Sequence, residues 1–181
     1  MEDKTKYRFA DSIKELMNNT PLDKITVKDI VEGCGLTRQT FYRNFQDKYD
    51  LVNWYFEKLA EKSFKKMGSE LTLREGLIKK LSFIQEEHVF FSQAFQSHDH
   101  NSLIAYDYDS IFEFYENVIR KKTGGPLSED ICFLLEMYCR GSVNMTVDWV
   151  TGGMKLPVEK IVDLLLEAMP RRLEELLVDL E

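Results

Sequence analysis

Between Thr37 and Lys48 the chain reads T-R-Q-T-F-Y-R-N-F-Q-D-K. In a short helix over 37–44, Phe41 and Phe45 stand at i, i+4 and share one inner face. Arg38, Gln39, Thr40, Tyr42 and Arg43 are then turned outward. Arginine donates in a fork that fits the guanine edge, glutamine fits the adenine edge, and threonine and tyrosine hydroxyls reach phosphate. A face that carries two arginines, an amide and hydroxyls therefore suits the major groove of DNA. The plainer reading is a helical hairpin whose polar face is only solvated.

Elements on both sides must hold this face in place. Thr26 is a good helix N-cap, and Asp29 stands three residues on, an approximate capping box. Val27, Ile30, Val31 and Cys34 follow at i, i+3, i+4 and i+7, one apolar stripe of a helix. Gly33 and Gly35 end it, and either suits the left-handed conformation of a sharp turn. Thr37 caps the next helix. A first helix over about 4–19 carries Tyr7, Phe9, Ala10, Ile13, Leu16 and Met17 and packs behind the other two. Asp47 caps a longer helix, with Asp50 at the capping-box position, running to about Met67 and closed by Gly68-Ser69. No flexible linker separates this helix from the head. The division expected is a head at 1–48 and a second domain at 49–181.

The chain has 181 residues, 44% of them apolar, with four prolines and nine glycines. Apolar spacing is helical almost throughout, so the class is all-α. Cys34, Cys132 and Cys139 make neither a disulfide framework nor a C-x-x-C metal pair. The opening M-E-D-K-T-K has no apolar stretch of signal-peptide type, and no run approaches a membrane span. A cytoplasmic protein without a membrane partner is expected. The net charge of −7 is unevenly spread. Residues 1–50 hold nine basic and nine acidic residues, leaving 15 and 22 for the rest. Acid is concentrated away from the polar helix, whose local charge governs phosphate contact.

The stretch from about Tyr7 to Glu57, sharpest at T-R-Q-T-F-Y-R-N-F-Q-D-K, resembles the N-terminal DNA-binding domain of TetR-type transcriptional regulators. The resemblance implies an N-terminal three-helix helix-turn-helix head, joined by a continuous helix to a C-terminal helical effector-binding and dimerisation domain. It also implies a homodimer on a near-palindromic double-stranded operator. Thr26, Thr40, Tyr42 and Lys48 match the family's phosphate-contacting positions, and Lys28 falls where a base or phosphate is touched. With Thr37, Arg38, Gln39 and Arg43 these form the expected DNA-contacting set. The segment R-G-S-V-N-M-T-V-D-W-V-T-G-G-M-K-L-P-V-E-K-I-V resembles, within the family, the regulators associated with dihydroxyacetone-kinase operons. The family is mostly repressors released by a small ligand, whereas that subgroup includes activators whose sensing is done by a separate partner protein.

Beyond Gly68-Ser69, helices are expected over about 70–86, 88–97 and 103–122, followed by the strong stop Thr123-Gly124-Gly125-Pro126. Ser128 caps a long helix to about Val150 that is apolar on two sides. Ile131, Leu134, Leu135, Tyr138, Ser142, Met145 and Trp149 form one stripe, with Cys132, Cys139, Val143 and Val147 on another. Helix 128–150 and the helix from Pro157 would form a four-helix interface between subunits, as the resemblance implies. Cys139, Val143, Val147, Ile161 and Leu165 are its candidates, and Gly141 would allow close approach. The effector domain's aromatic residues suit a cavity between helices, but no individual ligand residue can be chosen. His98-Asp99-His100 fixes no metal geometry, and a solvated loop is the simpler reading. No nucleophilic triad, phosphate-cradling loop or zinc motif is present, so no catalytic residue, metal or cofactor is expected and the chain is not read as an enzyme.

Overall fold

The structure, a computed structural model, describes residues 2–61, 66, 71–97, 99 and 101–177. Among them the regular elements are ten α-helices and one 3-10 turn. The helices are α1 Glu2–Met17, α2 Val27–Cys34, α3 Arg38–Asn44, α4 Lys48–Ala60, α5 Leu73–Glu86, α6 His88–Phe95, α7 Leu103–Thr123, α8 Glu129–Thr151, α9 Val158–Glu167 and α10 Arg171–Leu177; the 3-10 turn is Leu22–Lys24. The expectation of an all-α chain holds. The expected end of the fourth helix near Met67, its Phe64, and the Gly68-Ser69 stop lie outside the described residues. So do His98 and His100. No described helix is long and apolar enough to cross a membrane.

Two compact units divide the chain. The first comprises residues 1–58 with 87–103, so α6 packs with the N-terminal helices. Its core is aromatic. The Phe9 ring lies 5.2 Å from Phe41 in an edge contact, and Phe41 lies 5.7 Å from Phe45. Tyr55 meets Phe90 at 5.1 Å and Phe56 meets Phe91 at 6.1 Å, which fixes α6 against α4. Edge-on pairs of this kind add to the burial of large apolar area.

The second unit comprises residues 59–86 with 104–181. Leu81, Ile84, Ile119, Leu135, Cys139 and Val162 are its buried centre. Ser128 caps α8, accepting a hydrogen bond from the Ile131 amide, and Pro170 restarts the chain into α10. The Tyr138 hydroxyl donates to the Leu165 carbonyl at 3.0 Å, and the Trp149 indole donates to the Leu156 carbonyl at 2.9 Å. These bonds tie α9 and its entry loop to α8 while satisfying polar groups that burial would otherwise leave unpaired.

Candidate nucleic-acid interface

Local chemistry explains why α2 starts and stops where it does. The Thr26 hydroxyl accepts from the Asp29 amide at 3.3 Å and donates to the Asp29 carboxylate at 2.6 Å, while the Thr26 amide donates to the same carboxylate at 2.8 Å. The capping box is complete. Those bonds to Thr26 hold the Asp29 carboxyl below its ordinary pKa. At the other end Gly35 takes the left-handed conformation, φ 65°, and the Leu36 amide bonds back to the Val31 carbonyl at 2.9 Å. Gly33 has a different role. A β-carbon there would stand 2.5 Å from the Ser12 hydroxyl, which is buried and donates to the Ile30 carbonyl. Gly33 lets α1 approach α2, and only Gly35 makes the turn.

On α3, Thr37 caps the helix by accepting from the Thr40 amide at 3.1 Å. Phe41 is wholly buried and Phe45 nearly so. Arg38, Gln39, Tyr42 and Arg43 are exposed together, with Thr40 half-buried at their edge. Tyr42 is 59% exposed despite its size, its ring edge-on to Phe41 at 5.6 Å. Lys28 is exposed on α2, with only a loose approach to Glu32 at 3.8 Å. Thr26 is exposed as well, but its hydroxyl proton is engaged by Asp29.

Lys48 is the residue whose surroundings differ most from expectation. Its ammonium donates to the carbonyls of Leu22, Asp23 and Ile25, each at 2.8 Å. An ammonium has three protons, and all three are taken. Burial is the first cause that pulls its pKa below the ordinary lysine value, opposed by the charges of Asp23, Asp99 and Asp47. Nothing in the sequence spacing signals this, because the carbonyls belong to backbone 23 to 26 residues earlier.

The expected interface residues of the C-terminal unit lie mostly inside the protomer. Cys139, Val143, Ile161 and Leu165 are buried inside the protomer, at 6% exposure or less, and Val147 is only half-buried. Met145, expected in the core stripe, is 53% exposed. The inner arc of α8 is Ile131, Leu135, Tyr138, Cys139, Val143, Thr146, Trp149 and Val150. These neighbour one another at i+3, i+4 and i+7, so the Cys139–Val143 pair continues the core stripe and does not oppose it. The apolar row left in solvent is Phe133 at 67%, Met137 at 52%, Gly141 and Met145, each four residues after the last.

Inside the second unit Lys80 and Asp107 form a buried ion pair at 2.5 Å. The second carboxylate oxygen of Asp107 is buried without a hydrogen-bond partner. Burial and then the Asp107 charge push the Cys139 thiol up to about 12, so it is an inert thiol. Lys80 borders a cavity of about 20 Å³, with Tyr115, Tyr138, Ser142 and Thr146 in its wall. That is room for one water. A wider recess of about 330 Å³ lies between Leu73 and Arg74 of α5, Leu166 and Met169, and Glu174 and Leu177 of α10.

Residues 10–54 match the model of bacterial regulatory proteins of the tetR family, and residues 72–171 match that of a transcriptional regulator C-terminal region of the same family series. Over 91 residues the chain is 28% identical to the HTH-type dhaKLM operon transcriptional activator DhaS of Lactococcus lactis subsp. lactis (strain IL1403), half of this chain and 49% of that protein. The match thus spans about half the length of that relative. Among solved structures, the dihydroxyacetone kinase operon activator DhaS superposes with a TM-score of 0.63 at 19% identity, over 94% of this chain and 97% of its own. A TetR transcriptional regulator from Streptococcus agalactiae 2603V gives 0.69 at 22% identity, over 94% and 96%. At those identities the likeness establishes the fold. The family-model match over residues 10–54 spans α2 and α3, so this pair is the helix-turn-helix of a TetR-type regulator.

Proposed function

Because the chain belongs to the TetR family of bacterial transcriptional regulators, we propose that it binds a near-palindromic operator as a homodimer, each protomer setting α3 into a major groove. The observation that carries this reading is the joint exposure of Arg38, Gln39, Tyr42 and Arg43 on a helix whose opposite side is locked by Phe41 and Phe45. Arg38 and Gln39 read base edges from the N-terminal end of the helix. Thr37, Thr40, Tyr42 and Arg43 serve the backbone phosphates beside them, with Thr26 and Lys28 at the start of α2. The functional division is a DNA-reading head at 1–48 and a regulatory and dimerising part at 49–181. Dimerisation uses the outer row of α8, Phe133, Met137, Gly141 and Met145. One reading helix covers too few base pairs to select a site, and two heads on a two-fold axis supply the rest.

Control acts through the C-terminal part. A small effector is supported by the recess of about 330 Å³, which falls in the usual range of ligand sites. Control by a partner protein is supported by the core cavity of about 20 Å³, which has no room for a metabolite. Protection of DNA upstream of the protein's own gene tests the regulator reading. Repeating that footprint with a metabolite extract stripped of protein, and then with the protein fraction, separates the two modes of control. No protected site at micromolar protein would overturn the DNA reading itself.

A further inference from the structure

Lys48 begins α4, yet its three donors close over the carbonyls of the 3-10 turn that leads into α2. The turn closes on itself through the Lys24 amide on the Pro21 carbonyl at 2.9 Å and the Ile25 amide on the Leu22 carbonyl at 3.1 Å, and Lys48 draws the Leu22, Asp23 and Ile25 carbonyls together on top of those bonds. The neighbouring side chains extend the same contact. The Asp23 carboxylate accepts from the Tyr49 hydroxyl at 3.0 Å and from the Ser97 hydroxyl at 2.6 Å. Ser97 follows the last turn of α6, 74 residues from Asp23. Asn53 of α4 donates to the Asn101 carbonyl at 3.0 Å in the same stretch. At the other end of α6, Glu87 accepts from Lys14 of α1 at 2.7 Å and from Tyr55 of α4 at 3.0 Å. Glu87 before α6, and Ser97 and Asn101 after it, are thus each bonded to α1, α4 or the 3-10 turn.

We propose that Lys48 is a positioning residue that sets the entry to α2 and does not ligate phosphate, and that Asp23 and Ser97 tie that setting to the segment following α6. The physical reason is donor supply. A phosphate contact by Lys48 would have to release at least one of the three carbonyls, because each ammonium proton is already engaged. What Lys48 controls is the angle at which Thr26 and Lys28 meet the DNA backbone, and with them the α2–α3 pair. What Ser97 controls is whether Asp23, one of the three residues gripped by Lys48, stays in place. A shift of the chain after α6 would reach the head by this route.

The test uses the full-length protein and two probes: the duplex that wild type selects from random-sequence DNA, and random duplex itself. Wild-type binding to the selected duplex establishes the DNA reading independently. Lys48→Arg keeps the charge and is an excellent phosphate ligand, but its planar fork cannot point at three converging carbonyls. The expected result for Lys48→Arg is at least a tenfold loss on the selected duplex. The salt slope of binding should equal that of wild type for both Lys48→Arg and Lys48→Met. Wild-type affinity in Lys48→Arg, or a slope lower by about one in Lys48→Met, would overturn the proposal by restoring the phosphate role. Ser97 is buried and is not among the proposed DNA contacts, and Ser97→Ala removes one hydroxyl, with the melting temperature as the check that the fold is kept. Its expected effect is a severalfold change in operator affinity that is not additive with Lys48→Met. Additive effects, or no effect of Ser97→Ala, would sever the link between α6 and the turn.

Discussion

The outer faces of α3 and α8 are both left in solvent by a single protomer, and they are opposite in chemistry. The seven residues of α3 expose two arginines, a glutamine and a tyrosine. The 23 residues of α8 expose a phenylalanine, two methionines and a glycine in one row. Donor groups in solvent keep their hydrogen bonds to water and exchange them for bonds to a partner at modest cost. A row of Phe133, Met137 and Met145 gains by leaving water altogether. Exposure therefore means different things on the two helices. On α3 it suits a surface that reads, and on α8 a surface that a partner would cover. The inner faces, by contrast, are alike: buried, apolar and unavailable to any partner.

The largest effect is expected from a charge on the apolar row. Met137→Glu leaves the protomer core untouched but would bury an unpaired carboxylate at the subunit contact. The expected outcome is a folded monomer in sedimentation at micromolar concentration. Operator affinity should fall by roughly 10²–10⁴, the advantage that linking two heads supplies. Val143→Glu is the control from the inner face, and it should lower the melting temperature severely before oligomeric state is reached. A Met137→Glu protein that stays dimeric would remove the outer row of α8 from the interface.

A smaller effect separates the readers from the anchors on α3. Gln39→Ala should cost about 1–3 kcal/mol on the selected duplex and little on random DNA. Equal losses on both duplexes would show that Gln39 reads no base. The comparison between faces predicts a further asymmetry: Gln39→Ala leaves sedimentation unchanged, and Met137→Glu weakens every duplex.

These contrasts also explain how much was legible in the sequence. The head was readable because its signals are local. Thr26 with Asp29, Thr37 with Thr40, and Phe41 with Phe45 all lie within four residues of each other, so chain spacing alone nearly fixes the geometry. Helix boundaries at Ser128, Gly124 and Pro157 were readable for the same reason. What was not legible is non-local. Lys48 was read as an anion contact because it heads a helix, and no spacing announced the backbone carbonyls that the fold brings to it. On α8 both faces carry apolar residues, and periodicity cannot tell which one the rest of the chain covers. Val143 was set apart from the core stripe for that reason, whereas the fold buries it and leaves Phe133 and Met137 exposed. The ion pair of Lys80 and Asp107 spans 27 residues and had no pattern to announce it.

A still smaller effect concerns the anchors. Lys28 is exposed and held only loosely by Glu32, so its ammonium is free to meet a phosphate. Lys28→Ala should weaken selected and random DNA alike, severalfold, and reduce the salt slope by about one. An unchanged slope would limit phosphate contact to α3. Set beside Lys48, whose mutation is expected to leave the slope unchanged, Lys28 gives the comparison between an exposed lysine and an engaged one.

The smallest effect belongs to the cap that starts α2. Thr26 cannot give its hydroxyl proton to a phosphate while Asp29 holds it, so its first role is structural. Thr26→Ala removes one cap and should lower the melting temperature by roughly 2–4 °C at pH 7, whereas Thr26→Ser should not. The pH dependence has a definite sign. The folded-state pKa of Asp29 is depressed, first by its bond to the Thr26 side chain and then by the Thr26 amide. A depressed carboxyl stabilises the fold above its unfolded value of about 4, and that contribution disappears as pH falls through the lower folded value. The melting difference between wild type and Thr26→Ala should therefore be widest near neutrality and close in acid. A difference that stays constant down to about pH 3, well inside the carboxylate range, would show that Asp29 is not the partner through which Thr26 acts.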